Sequence, residues 1–389
     1  MNPLPSAFSQ VASGFTRADK IFRNLYPSLF ASFAPTSMSP PPSPPPERAE
    51  ITAPKTEIIP SPNRPLGVDI DGNLLRQFLA SMDFDLTAPA IPRNRELESA
   101  LLDVFTAENL PEKYIRHIEK MLLYTTAATE MSYFIHSFEF KVFIGTYITL
   151  LLFIDDLCER DPDSMVPYLR TFVAKLGSNS DISDQHPSLR HFQRLVTDDA
   201  PKFFGPIGCG MVMKSSIDYY LGCLLEAQFP DGVKCSSSCT RFPRFLRLKS
   251  GNSETFAHMI FPATEFPEDK YLEIYLPAIP DIIELTDMIN DILSFYKESV
   301  IGTEKNTFFM VLAKANNVHP VDVLIQTGTR QGQLARDVRQ TLSKCPELLK
   351  AFNTYLNGYT MYHCTQKRYK LWELGMEMIC PGEEGQNRG

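Results

Sequence analysis

Two short runs of oxygen-bearing side chains could do chemistry in this sequence. Asn290, Ser294 and Glu298 stand four apart in Asn290-Asp291-Ile292-Leu293-Ser294-Phe295-Tyr296-Lys297-Glu298. At about 100° per residue on an α-helix, the three fall within roughly 80° of the circumference. An amide oxygen, a hydroxyl and a carboxylate in one column make an all-oxygen ligand set. Such a set suits Mg²⁺, which keeps several waters and often binds through phosphate. Lys297 shares the face and adds positive charge for an anion. Average residue usage makes the pattern a chance event in well under about one chain per hundred. That rarity disfavours the plainer reading, polar capping of a helix end near Gly302.

The other run is Asp155-Asp156-Leu157-Cys158-Glu159, which ends the apolar stretch Phe143–Ile154. On a helix Asp155 and Glu159 share a face, while Asp156 points about 100° away. Carboxylates at the mouth of an apolar space are costly unless a hard cation or a basic partner satisfies them. A solvated helix end explains the same residues, and an Asp pair alone does not decide between the two. A third element is Arg368-Tyr369, behind a stripe of tyrosines at 355, 359 and 362. Such a stripe is usually packing. Beside a metal motif, however, a guanidinium and a phenol could clamp a diphosphate, because guanidinium matches phosphate bidentately.

Long helices must position these groups. Helical spacing runs through Pro111–Ala128, Glu130–Cys158, Cys209–Gln228, Arg241–Leu248, Pro280–Lys297, Pro320–Gly328, Arg330–Lys344 and Pro346–Trp372. Period-2 runs and hairpin turns are lacking, so the fold class is all-α. The longest uncharged apolar run, Val142 to Ile154, has thirteen residues. A membrane span needs roughly 18, so the run reads as a buried core helix and no span is expected.

Of 31 prolines, 14 precede Gly67, and Pro40 to Pro46 is almost all proline. Residues 1–66 therefore read as a Pro-rich, disordered leader, 67–380 as the catalytic domain and 381–389 as a flexible tail. With 38 basic and 46 acidic residues the net charge is −8, which argues against nucleic acid as a partner. Eight cysteines in a chain of 389 residues do not form a disulfide framework, and the Cys235/Cys239 pair lacks further zinc ligands at suitable spacing. A reducing, cytoplasmic setting is expected.

Taken in order, these motifs resemble class I terpene cyclases, and most closely the fungal trichodiene synthase family of sesquiterpene cyclases. The resemblance is carried by Asp155-Asp156-x-x-Glu159, by Asn290-Asp291-x-x-Ser294 through Glu298, and by Gly358-Tyr359 through His363 to Arg368-Tyr369. The stretch from Phe204-Gly205-Pro206 through Ser215-x-x-Asp218 to Gly222 also matches, and the likeness spans roughly Leu97 to Glu377. The resemblance implies a helical bundle around a central apolar cavity and three Mg²⁺ ions. Asp155 would bridge two ions, with Glu159 where the family usually has Asp. Asn290, Ser294 and Glu298 would hold the third. Lys297, Arg368 and Tyr369 would bind the diphosphate, with Lys214 in place of the family's arginine sensor. It further implies a homodimer, and Mg-dependent ionisation and cyclisation of farnesyl diphosphate with release of diphosphate, in fungal terpenoid metabolism. A chain-elongating prenyl synthase would need a second Asp-rich motif. A catalytically inactive cyclase-fold binding protein is the remaining alternative.

Overall fold

The computed structural model describes residues 65–376, apart from 68, 89–90, 176–182 and 237. The leader expected over 1–66 and the tail over 381–389 thus lie almost wholly outside the described residues. Among those described, helices and turns form the whole structure and no strand occurs. No helix there is long and apolar enough to cross a membrane.

Caps written in the sequence start several helices. Asn94 accepts from the Leu97 amide (2.9 Å) to begin Arg95–Ala107, and Ser137 accepts from the Phe140 amide (3.3 Å) to begin Phe138–Arg160. Each satisfies one of the amides that a helix start leaves unpaired. Pro206 opens the helix Pro206–Gln228, which has no cap of its own. The Glu268 carboxylate supplies one instead, accepting from the amides of Ile207 (3.2 Å) and Gly208 (2.7 Å). A negative charge at a helix N-terminus is favourable in itself.

Phe138–Arg160 is the central helix. The run Val142–Ile154 within it is almost wholly buried, as expected of a core helix. A buried ion pair, Lys141 Nζ to Glu130 Oε2 at 2.9 Å, holds it to Glu112–Ser132, and Asn94 donates to the same carboxylate (3.0 Å). On its other side Tyr147 joins a buried polar knot. Asn252 donates to the Tyr147 hydroxyl (3.0 Å) and accepts from Ser215 (2.8 Å). Asn252 is left-handed, with φ of 52°, a conformation Asn tolerates better than most residues. The knot ties the central helix to Pro206–Gln228 and to the bend between Phe242–Ser250 and Ser253–His258.

Four expected boundaries shift. The stretch 130–158 is broken, because Glu112–Ser132 runs past Ala128 and a new helix starts at Phe138. The bend between them is anchored from outside: the Tyr133 hydroxyl donates to the Phe256 carbonyl and His136 bonds Glu265. Conversely, 320–328 and 330–344 fuse into one helix, Pro320–Leu342. The helix runs on through Gly328 and Thr329, and Gly332 further along marks a close approach, since a side chain would stand on the Ser81 carbonyl oxygen. The helix expected over 346–372 ends at Thr365, followed by 3₁₀ turns at Lys367–Tyr369 and Leu371–Leu374. The α-helix Ile279–Phe295 passes into a π-helical turn, Tyr296–Ile301.

Candidate active site

The second motif sits where Ile279–Phe295 becomes the π turn. Ser294 is fully buried, and its hydroxyl donates to Glu298 Oε2 at 2.8 Å. Lys297 Nζ lies 2.9 Å from the other oxygen of Glu298. The expected single α-helical column is therefore corrected. Asn290 and Ser294 stand on the α-helix, whereas Glu298 stands on a widened turn of a kind that often accompanies function. Ser294 and Glu298 nevertheless meet.

Arg247, from Phe242–Ser250, binds this motif. Its Nε donates to both oxygens of Asp291 (2.9 and 2.8 Å), and its Nη2 lies 3.3 Å from Asn290 Oδ1. Its Nη1 pairs with Asp287 Oδ1 at 3.2 Å, and Arg244 pairs with Asp287 Oδ2 at 2.7 Å. Asp287 is fully buried and also accepts from Ser253. Gly251 leaves the room for this meeting, because a methyl group there would collide with both Arg247 and Asp287. Burial pushes the Asp291 carboxyl up to about 6, against the pull of Arg247.

The first motif is built differently. Asp155 is half-buried and receives hydrogen bonds from two weak donors on Pro206–Gln228, the thiol of Cys223 (3.3 Å) and the phenol of Tyr219. Burial, and then repulsion from Asp156 and Glu159, carries its carboxyl to about 6, the Cys223 bond opposing. Asp156 points elsewhere, as its angle on the helix predicts, to His117 (2.9 Å) and Arg160 (3.3 Å). Glu159 is exposed.

Both motifs border one mouth. Glu304, exposed just beyond the π turn, is raised by partial desolvation, then by repulsion from Glu298, with Lys297 opposing and Glu159 and Asp155 adding to it. Glu226 keeps an exposed surface, yet partial desolvation, then Asp155 and Glu304, carry its carboxyl to about 7. Among the described residues no three His, Cys, Asp or Glu side chains come close enough to hold one ion by themselves. The donors present are nonetheless all hard oxygens, and carboxylates crowd against each other on both sides. Both features fit Mg²⁺, which is satisfied by one or two protein carboxylates together with water and phosphate.

Beneath the mouth lies a cavity of about 160 Å³, lined by Tyr133, Ile148, Leu151, Phe256, Tyr359 and Tyr362 among others. Asn290, His363, Arg368 and Tyr369 also line it. The Arg368 guanidinium lies over the rings of Tyr124 (5.1 Å) and Tyr369 (5.7 Å). Among the described residues it forms no ion pair, so its charge is open to an anion. The π turn packs on the Lys367–Tyr369 turn, which brings Lys297 and Glu298 beside Arg368 and Tyr369. Lys214 stands apart from this group: it is exposed and paired with Glu254 and, at 3.6 Å, with Asp218.

Spacing did not point to Arg247. It lies 43 residues before Asn290, and nothing local marks it beyond a basic helix. Asp287, Glu226, Glu304 and Tyr124 were missed for the same reason, and His363 stood in the quoted pattern without a role.

Comparison with known proteins agrees with this geometry. Residues 112–379 match the family model described as trichodiene synthase. The (E)-beta farnesene synthase of Metarhizium brunneum is 26% identical over 311 residues, 79% of this chain and 90% of that protein. A longiborneol synthase of Gibberella zeae is 25% identical over 315 residues, 78% and 87% of the two chains. Among solved structures, the linalool/nerolidol synthase of Streptomyces clavuligerus superposes with a TM-score of 0.53 at 12% identity, over 72% of this chain and 99% of that one. That likeness is one of fold, whereas the family match covers most of the sequence, including every motif above. The chain belongs to the trichodiene synthase family and is a terpene cyclase of class I fold.

Proposed function

We propose that the protein is a cytoplasmic sesquiterpene synthase that ionises and cyclises farnesyl diphosphate, with three Mg²⁺ ions as cofactor. One observation carries the reading. Asn290 and the open guanidinium of Arg368 line one aromatic cavity, and the bonded pair Ser294 and Glu298 leads into the turn packed beside Arg368. The names of the farnesene, longiborneol and trichodiene synthases that resemble it point to the same substrate size.

Asn290, Ser294 and Glu298 would hold one ion and Asp155 two, with Glu159 close by. Bound there, Mg²⁺ supplies stabilisation of the charge that develops on the departing diphosphate. The chain's own cations do the rest at that end. Arg368 and Lys297 bind the phosphate oxygens, and the Tyr369 hydroxyl adds a donor. Lys214 reaches the diphosphate only by leaving Glu254, whereas Arg247 already touches Asn290. Arg247 is thus the arginine that couples anion binding to the metal motif. Below, the faces of Tyr133, Tyr359 and Phe256 stabilise positive charge on the hydrocarbon and keep water away. Chain elongation has no second Asp-rich motif to support it, and an inactive binding protein would have no use for the full set of oxygen donors.

Purified protein incubated with farnesyl or geranyl diphosphate and Mg²⁺, with volatiles resolved by gas chromatography, tests this directly. Cyclic C15 products from farnesyl diphosphate are expected. Absence of any terpene from either substrate rules the reading out.

A further inference from the structure

One buried polar side chain in the cavity wall has no part in the reaction as described. His363 is 1% exposed and sits between the rings of Tyr359 (4.6 Å between centroids) and Tyr369 (4.7 Å). Its two nitrogens have different partners. Nδ1 is 2.8 Å from the Tyr359 carbonyl oxygen, and Nε2 is 3.2 Å from the Asn290 side-chain nitrogen. A carbonyl only accepts, so Nδ1 must carry the hydrogen and donate. A neutral imidazole carries one hydrogen, so with that hydrogen on Nδ1 the Nε2 is a bare lone pair, as the Asn290 nitrogen facing it requires.

A bare lone pair accepts and cannot donate. An asparagine facing it must present its NH₂ group, which turns Oδ1 to the other side. There Arg247 Nη2, which can only donate, meets Oδ1 at 3.3 Å. Two independent partners thus enforce the same amide orientation. The orientation matters chemically, because only the oxygen of the amide can ligate a hard cation. A reversed amide would offer N–H bonds in its place.

We propose that His363 is a positioning residue: its Nε2, oriented by the Tyr359 carbonyl, holds the Asn290 amide in the one orientation that offers an oxygen to a divalent cation. The inference rests on the reading of Asn290 as a metal ligand. Partners of this kind, behind the ligands themselves, commonly change metal affinity by about 10- to 100-fold.

The test titrates Mn²⁺ into the full-length protein with inorganic pyrophosphate, reading free Mn²⁺ by electron paramagnetic resonance. Circular dichroism and melting confirm that each variant is folded. His363→Phe is expected to weaken Mn²⁺ binding about tenfold, the low end because Arg247 remains. Asn290→Asp makes the two side-chain oxygens equivalent, so adding His363→Phe to it should cost nothing further. Equal weakening by His363→Phe in both backgrounds overturns the proposal, since it shows a packing effect alone. Wild-type binding by His363→Phe, with Asn290→Ala impaired, also overturns it but leaves Asn290 as a ligand. If Asn290→Ala itself binds normally, the ligand reading fails and the inference with it. Should the phenylalanine variant not fold, His363→Met, flexible and without N–H, is read in the same way.

Discussion

The two sides of the cavity mouth carry similar carboxylates under opposite conditions. On the Asn290 side the motif acids have strong partners: Asp287 and Asp291 hold Arg247, and Glu298 holds Ser294 and Lys297. On the Asp155 side the motif aspartate has only a thiol and a phenol, while Glu159 and Glu226 press on it. One side is preorganised by the protein. The other is left with uncompensated charge that a cation, and not a side chain, would satisfy. Ligand sites commonly store such local disadvantage and recover it on binding.

Removing the preorganised side's anchor should do the most damage to the fold. Arg247→Leu leaves Asp291 without a counter-charge and Asp287 with Arg244 alone, and is expected to cost about 3–5 kcal/mol of stability, read by urea unfolding. A loss under 1 kcal/mol, on the order of a surface pair, would contradict the buried network. No single change on the Asp155 side should approach that value. Asp155→Asn, which relieves repulsion, should leave stability unchanged or slightly higher by the same measurement.

Acid should also attack the packing behind the mouth, apart from its effect on the motif carboxyls. His258 is 2% exposed, its Nε2 has no hydrogen-bond partner among the described residues, and burial, aided by Lys214, holds it near 4. Because the folded value lies below the unfolded 6.5, the stability from keeping it neutral is complete above pH 6.5. It is lost as pH falls from 6.5 toward 4, by up to about 3 kcal/mol. Melting temperature against pH should fall through that window, and His258→Leu should flatten the fall. An unchanged slope in the variant would remove His258 from the account.

Saturation with Mg²⁺ and pyrophosphate sharpens the contrast further. At a hundredfold excess over Kd it should stabilise the protein by about 2.7 kcal/mol. Hydrogen exchange should then slow more around residues 155–160 than around 287–294, because the second segment is already held. Equal protection of both would erase the distinction. Smallest of all should be Lys214→Ala, which removes an exposed pair and should change stability by less than about 1 kcal/mol. A loss of activity in that variant as great as in Arg247→Lys would restore Lys214 as the diphosphate sensor.

What was legible in the sequence follows from locality. Asn290, Ser294 and Glu298 repeat at the helical period, so their spacing announced them, and Val142–Ile154 announced the core helix by its lack of charge. Arg247 could not be read that way. Its meaning comes from Asp287, Asn290 and Asp291, which approach it only when helices distant in sequence pack. The break at Tyr133–Ser137 has the same origin, since Phe256 and Glu265 anchor it from outside the segment. The π turn at Tyr296–Ile301 also escaped, for no residue in it forbids an ordinary α-helix.

The central claim is that both sides of the mouth act together to ionise a prenyl diphosphate. Its most direct measurement is the rate of pyrophosphate release from farnesyl diphosphate, with Mg²⁺ and with chelator, for the wild type, Asp155→Ala and Asn290→Ala. Release that requires Mg²⁺ and falls at least about 100-fold in each variant, with the proteins still folded, is the expected result. Release that persists in chelator, or in either variant at the wild-type rate, would contradict it.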